Sequence, residues 1–378
     1  MFYGGTSMEN YNNVGISHLL EHLLLNLNEE HGLNNYFDVD GVKVNGATSR
    51  EYINIYGYFL EENKERYIKK LINTVFCQDF TDKMLEKNKK IVECEINQYN
   101  YLSKSKMLQN SLLFKNSIWE NDILGTIDNI NSFDAETVRE FRRNLLVNGT
   151  FVLALRGDIG YSDVENYVYP YEIVKMVNAY HDYYPCSTPI FNEKTYYNKK
   201  ENEQSNYSEI TITYKLENIR RKELFPCLAV FNTMLTCLEK SVLLLRLREE
   251  LRYVYQIHSY PELFYEFNIF RIKTKTLKCN EDRVIEEITS VIERFCRNEL
   301  DMQQIFNIAK NRVYNEILLQ YENEPIISTN QLAKSVLFRQ PTNAEIIDIL
   351  EKLDYWNVQM CIALMFGKMQ KNIYVSES

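Results

Sequence analysis

Two histidines stand four residues apart, with a glutamate between them, in the leucine-rich stretch GISHLLEHLLLN, Gly15 to Asn26. The chain has 5 histidines in 378 residues, so this pairing concentrates scarce ligand chemistry in one turn. On an α-helix, positions i and i+4 share a face about a turn apart, and His18 and His22 can aim ring nitrogens at one point. Glu21, three residues after His18, borders that face. Zinc takes neutral imidazole nitrogens and carboxylate oxygens in a roughly tetrahedral shell, and a hydrolytic site leaves one position for water. A carboxylate beside that water can take the proton that the metal has acidified. The order H-x-x-E-H therefore supplies two ligands and a base in five residues. The bland alternative is a helix with two half-buried histidines and a surface glutamate; a lone histidine on a leucine face would favour it, and the triple does not.

Such a site needs a third protein ligand, and the helical stretch around Glu93 and Glu95 offers two. Its apolar stripe runs Leu85, Asn88, Ile91, Val92, Glu95, Ile96, Tyr99, Leu102, at spacings of three and four. Glu95 lies within the stripe, whereas Glu93 is about 200° around the wheel from it. A carboxylate in an apolar stripe is costly without a cation, so Glu95 is the expected ligand and Glu93 a solvated residue.

Between these helices, VNGATSREY (44–52) reads as a strand that could accept an extended peptide as an added β-strand, presenting its main chain to the metal. Asn45, Gly46, Ala47 and Thr48 are the candidate substrate-binding residues. Gly46 permits close backbone approach, though a bulge or turn explains a glycine equally well.

The elements that must position these residues occur twice. The first half runs apolar helix (HLLEHLLLNL), alternating strand (INIYGYFL), helix (EENKERYIKKLINTVF) and helix (FTDKMLEKNKKIVECEINQYNYL). LLLRLREEL, FNIFRIKTKTL, NEDRVIEEITSVIERF and LDMQQIFNIAKNRVYNEILLQYE repeat that order at an offset of about 220 residues. Each half then closes with a helix pair and a short strand, FVLALRGDI or NIYVS. The polar stretch PCSTPIFNEKTYYNKKENEQSNYSE breaks the periodicity between them. The expectation is an α+β protein of two homologous domains, 1–184 and 210–378, joined by a linker over 185–209. Each domain is a mostly antiparallel sheet with helices packed on one face.

With 45% hydrophobic and 25% charged residues the chain can build real cores. A formal net charge of -9 argues against nucleic acid or an anionic membrane as the main partner. The 8 cysteines, without a C-x-x-C pair, are expected to be reduced core thiols of a cytoplasmic protein. No export signal is evident and no apolar run approaches ~18 residues, so no membrane insertion is expected.

Taken together, His18, Glu21, His22 and the Cys94-Glu95-Ile96 step resemble the pitrilysin/insulinase metallopeptidases, especially the branch like mitochondrial processing peptidase. The likeness covers nearly the whole chain. VNGATSREYINIYGYFL is similar to the strand following that family's zinc helix, with Asn45, Thr48, Ser49 and Glu51 in the familiar places. ILGTIDNINSFDAETVREFRRNLLVNGTFVLALRGDI resembles the close of its first domain. The distance from Thr48 to Glu95 fits the third ligand, and Glu93 would require a gap. Two departures stand out. Asn88 occupies the position of the family's helper glutamate, where it can hydrogen-bond a ligand without supplying charge. The sequence also begins close to the strand before the zinc helix, so a counterpart of the family's first strand is not expected within it.

The resemblance implies one zinc ion per chain and cleavage of short or unfolded peptides in a closed chamber, with Glu21 as general base. It further draws attention to Arg248 and Tyr255 in LLLRLREELRYVYQ, a weak pattern alone. Similar proteins use an Arg and a Tyr at that separation to hold the substrate carbonyl and stabilise the oxyanion. Arg246 and Arg252 are the solvated or ion-paired alternatives. In that family the pair comes from a different domain of a four-domain assembly, so a homodimer or a heterodimer with a related subunit is implied. Small bacterial relatives include peptidases of bacteriocin (subtilosin-type) maturation, which makes leader or precursor peptides one expected substrate class. The alternative is a subunit whose role is mainly substrate binding or structural, with catalysis shared with or belonging to a partner chain.

Overall fold

The computed structural model describes residues 1–26, 33, 42–148, 150–168, 189–198, 206–218, 222–265 and 267–377. They form two compact units, Met1–Ile190 with Pro325–Leu337, and Phe191–Glu324 with Phe338–Ser378. Both mix helix and sheet, as the α+β expectation requires.

In the first unit, in chain order, are β1 (Phe2–Tyr3), α1 (Ile16–Leu25), β2 (Lys43–Thr48), β3 (Tyr52–Tyr58), α2 (Lys64–Ile72), α3 (Asp82–Leu113), α4 (Ile127–Ser132), α5 (Ala135–Asn148) and α6 (Tyr161–Val168). The sheet order is β1-β3-β2, antiparallel throughout. β2 and β3 are a hairpin in which Gly46 faces Ile55 and Thr48 faces Ile53, closed by Ser49 N–H to Tyr52 C=O at 2.8 Å. α3 starts on Thr81, whose hydroxyl accepts the N–H of Met84. Leu85, Val92 and Ile96 on its inner stripe join the core of Leu19, Leu20, Leu23, Ile53 and Ile55. Ile91, expected in the same stripe, is 39% exposed.

Two expectations are altered here. The stretch expected as the strand FVLALRGDI makes a single bridge, Phe2 to Phe151. It is held by Val152 N–H to Met1 C=O at 2.9 Å and the Met1 ammonium to Val152 C=O at 3.0 Å. Leu153 and Leu155 pair with no strand among the described residues; with Ile55 and Phe59 they border an apolar cavity of about 410 Å³. The helix Pro325–Leu337, from the second half of the sequence, belongs to the first unit. Asn54 Nδ2 donates to Asn330 Oδ1 at 2.9 Å, and the Arg156 guanidinium to Ser328 Oγ at 2.7 Å.

The second unit contains β4 (Thr195–Asn198), β5 (Tyr207–Leu216), α7 (Leu224–Asn232), β6 (Val254–Leu263), β7 (Asn268–Leu277), α8 (Glu281–Cys296), α9 (Gln303–Asn323), α10 (Asn343–Lys352), α11 (Tyr355–Phe366) and β8 (Lys371–Glu377). Its sheet runs β4-β8-β5-β7-β6, antiparallel except for β4 on β8. β4 and the start of β5 come from the expected linker, of which 185–188 and 199–205 lie outside the described residues. Phe231, Phe270, Phe295 and Phe366 meet at the centre of its core.

The helical run Leu224–Glu250 is long and apolar enough to cross a membrane by composition, contrary to the expectation from the sequence. Leu228, Phe231, Leu235, Leu243 and Leu247 are spent on the core. Among the described cysteines, Cys77, Cys94, Cys237 and Cys279 are exposed rather than in a core; Cys186 lies outside the described residues.

Candidate metal centre

α1 is a ten-residue helix whose leucines fix its orientation. Leu19, Leu20 and Leu23 are at most 1% exposed; burying each contributes about 2 kcal/mol. The same packing takes His18 and Glu21 out of water, with 6% and 5% exposure. α1 ends at Asn26, whose N–H bonds to His22 C=O.

The ring nitrogens converge as the spacing demands. The His18 and His22 rings are edge to face, with centroids 4.6 Å apart. Glu95 arrives from α3, its Oε2 3.2 Å from His22 Nε2 and 3.7 Å from His18 Nε2. One ligand atom from each of the three lies within 4.8 Å of the others, the one such group of His, Cys, Asp and Glu found among the described residues. Glu93 is outside it.

This donor set fits zinc. Atoms at the usual ligand distances of a tetrahedral zinc ion lie about 3.3 Å from one another, close to both Glu95 distances. Burial pushes His18 down to about 4, and the neighbouring His22 adds to that. His18 is thereby the neutral imidazole that ligation requires. The hydrogen bond with His22 pulls the Glu95 carboxyl below its ordinary value, against its own burial. His18 Nδ1 is buried without a hydrogen-bond partner among the described residues.

Glu21 points to β2. Its Oε2 accepts the Thr48 hydroxyl at 2.6 Å. Burial raises its carboxyl above the ordinary value, opposed by that hydrogen bond. Gly46 is what allows the approach, because a Cβ there would stand 2.5 Å from Glu21 Oε1 and 2.7 Å from its Cγ. Thr48 and Gly46 thus touch the candidate base itself. β2 is the edge strand of its sheet, its outer side unpaired among the described residues. Asn45 and Ala47 lie on it; Asn45 Oδ1 accepts the N–H of Gly46.

Asn88 lies elsewhere than expected. It is fully buried, yet its Oδ1 accepts from Asn26 Nδ2 at 3.2 Å and its Nδ2 donates to Met84 C=O at 2.9 Å. It is seven residues, two turns, before Glu95 on α3, and its short amide ties down the end of α1 rather than a ligand.

In the second unit, Arg248 and Tyr255 come together. The guanidinium lies over the phenol ring, 5.4 Å from its centroid, and also pairs with Glu249 at 3.3 Å. Tyr255 is 75% exposed, opening β6. Arg246 is engaged with Glu287 and Glu250 at 2.8–2.9 Å, an ion-paired residue as expected.

Sequence reasoning missed Glu9. It is buried, and its carboxylate accepts the N–H of Gly15 at 3.0 Å and of Ser17 at 2.9 Å. The available signal was a helix starting on Gly15 with no capping side chain at that position.

A two-unit α+β fold with an H-x-x-E-H helix set against a distant glutamate defines a class of metallopeptidases. The profile of the insulinase family (peptidase family M16) matches residues 1–126, and that of the peptidase M16 inactive domain matches residues 132–313. The chain belongs to peptidase family M16. It is 24% identical over 356 residues to the uncharacterized zinc protease YmxG of Bacillus subtilis (strain 168), covering 90% of this chain and 83% of that protein. Among solved structures it is similar to a protease from Helicobacter pylori (TM-score 0.79, 14% identity, 100% of this chain and 92% of the other). A peptidase M16 inactive domain from Pseudomonas fluorescens is similar too (TM-score 0.81, 13% identity, 99% and 90%).

Proposed function

We propose that the chain is a zinc-dependent endopeptidase for short or unfolded peptides, with His18, His22 and Glu95 holding the metal and Glu21 acting as general base. The convergence of these three donors, with the buried Glu21 carboxylate beside them, carries the reading. The zinc-protease relative supports it. When bound, zinc supplies Lewis acidity, polarising a carbonyl and acidifying a water.

The chain's own residues do the rest. The β2 edge takes the peptide as an added strand, through main-chain hydrogen bonds that read extension more than sequence. Glu21, its carboxyl raised by burial, receives the proton of the attacking water and returns it to the leaving amine. Thr48 holds one oxygen of that carboxylate in place. Arg248 and Tyr255 are donors for charge that develops only in the transition state. In the proposed dimer each pair serves the site of the other chain, closing a chamber that excludes folded proteins.

Metal analysis with mass in solution tests this. The expectation is one zinc per chain, lost on His18→Ala, in a particle of twice the 45.0 kDa chain mass. A metal-free monomer with every ligand intact contradicts the reading.

A further inference from the structure

The start of α1 is built in an unusual way. The first N–H groups of a helix have no acceptors within it and are ordinarily capped by a Ser, Thr, Asp or Asn side chain. α1 begins instead on Gly15, in the left-handed region with φ 92° and no side chain to offer. Packing demands the glycine, since a Cβ there would stand 2.8 Å from Gly125 Cα and from Leu124 O. Glu9 replaces the missing cap from six residues upstream, one carboxylate oxygen on the N–H of Gly15 and the other on that of Ser17. His18 is the next residue in the chain. A negative charge at this end also complements the helix dipole.

The segment that carries Glu9 is itself fastened to the far side of the site. Gly4 N–H bonds to Glu51 C=O at 2.7 Å, Thr6 N–H to Ser49 C=O at 3.1 Å, and Ser7 N–H to Arg50 C=O at 2.7 Å. The Ser17 hydroxyl closes the arrangement on Gly5 C=O at 3.0 Å. Gly4 to Glu9 therefore links the first turn of α1 to the turn that follows Thr48, the hydroxyl donor to Glu21.

We propose that Glu9 is a positioning residue for the metal centre: its carboxylate fixes the first turn of α1, and with it the placement of His18 and Glu21 against Thr48 and Glu95. The proposal rests on the zinc-peptidase reading. A displacement of about 1 Å in such a site can cost about a hundredfold in rate, which is the scale on which a loosened helix start acts. Burial pushes the Glu9 carboxyl up to about 7, against the two N–H bonds and the Arg50 charge that favour its ionised form.

The test compares native protein, Glu9→Gln and Glu9→Ala at pH 8. Zinc affinity is measured by competition with a chromophoric chelator, and kcat and KM with a fluorogenic peptide. Glu9→Ala is expected to weaken zinc binding about tenfold or more and to lower kcat with KM little changed, because the β2 edge is untouched. Glu9→Gln, which keeps one acceptor, is expected between the two. Equal zinc affinity and equal kcat in all three overturn the proposal and leave the peptidase reading standing. A native protein that takes up no zinc overturns both. Should Glu9→Ala fail to fold, hydrogen exchange on the native protein decides: the Gly15 and Ser17 amides are expected to exchange about a hundredfold more slowly than that of exposed Tyr11, and equal rates overturn the proposal.

Discussion

Gly46 and Glu21 touch in a way that leaves no room for a side chain: a Cβ on the glycine would stand 2.5 Å from the glutamate's Oε1. The edge strand and the candidate base are fitted to each other, so the strand that is to carry the peptide is also the wall that shapes the base. Gly46→Ala forces one of them to move. The expected result is a fall in kcat of about tenfold or more with zinc content unchanged, since the three atoms nearest the new methyl all belong to Glu21 and none to a ligand. Native kcat in Gly46→Ala, checked by steady-state peptide cleavage, would show that this contact does not matter.

Glu9 gives a pH signature of opposite sign to that of a surface carboxylate. Its folded pKa of about 7 lies above the ordinary 4.5, so the folded state holds the proton more tightly than the unfolded chain. The stability this contributes is fully present below about pH 4.5 and is lost as pH rises through 7. Glutamine does not titrate. Unfolding free energies from urea titrations are therefore expected to shift in favour of Glu9→Gln between pH 5 and pH 8, by at most roughly 3 kcal/mol. A difference that stays constant, or moves the other way, contradicts the assignment.

The proposed dimer makes a complementation experiment possible. Glu21→Gln and Arg248→Ala are each expected to be nearly inactive alone. In a homodimer that exchanges subunits, a mixed pair holds one site with native Glu21 from one chain and native Arg248 from the other. Mixing equal amounts should restore about a quarter of native activity, since half the dimers are mixed and each has one complete site of two. No recovery after verified subunit exchange would place Arg248 outside the partner's site.

The candidate ligand pair on α1 was legible because its signal is local: His18 and His22 need only the helical repeat to bring their rings together. Glu95 followed from the conflict between a carboxylate and the stripe of Val92 and Ile96, although Ile91 proved exposed. What stayed hidden depends on residues far apart in sequence. Nothing in the Asn88 region shows that its amide meets Asn26 instead of a ligand. The swap of Pro325–Leu337 into the first unit is carried by contacts such as Asn54 with Asn330, 276 positions apart. The extended segment after Phe151 reads as a strand by composition, but a strand is defined by a partner along its length, and among the described residues this one makes a single bridge, to Phe2. Thr195–Asn198 lies in a polar stretch, and its pairing with β8 is supplied by the other end of the chain.

The most direct test is the zinc content and peptide turnover of Glu21→Gln, measured on the same preparation. Glutamine preserves the size of the side chain and removes its ability to take a proton. The expected result is one zinc per chain, as in the native protein, with turnover reduced by about 10²–10⁴-fold. Cleavage at the native rate with zinc in place would contradict the role assigned to Glu21.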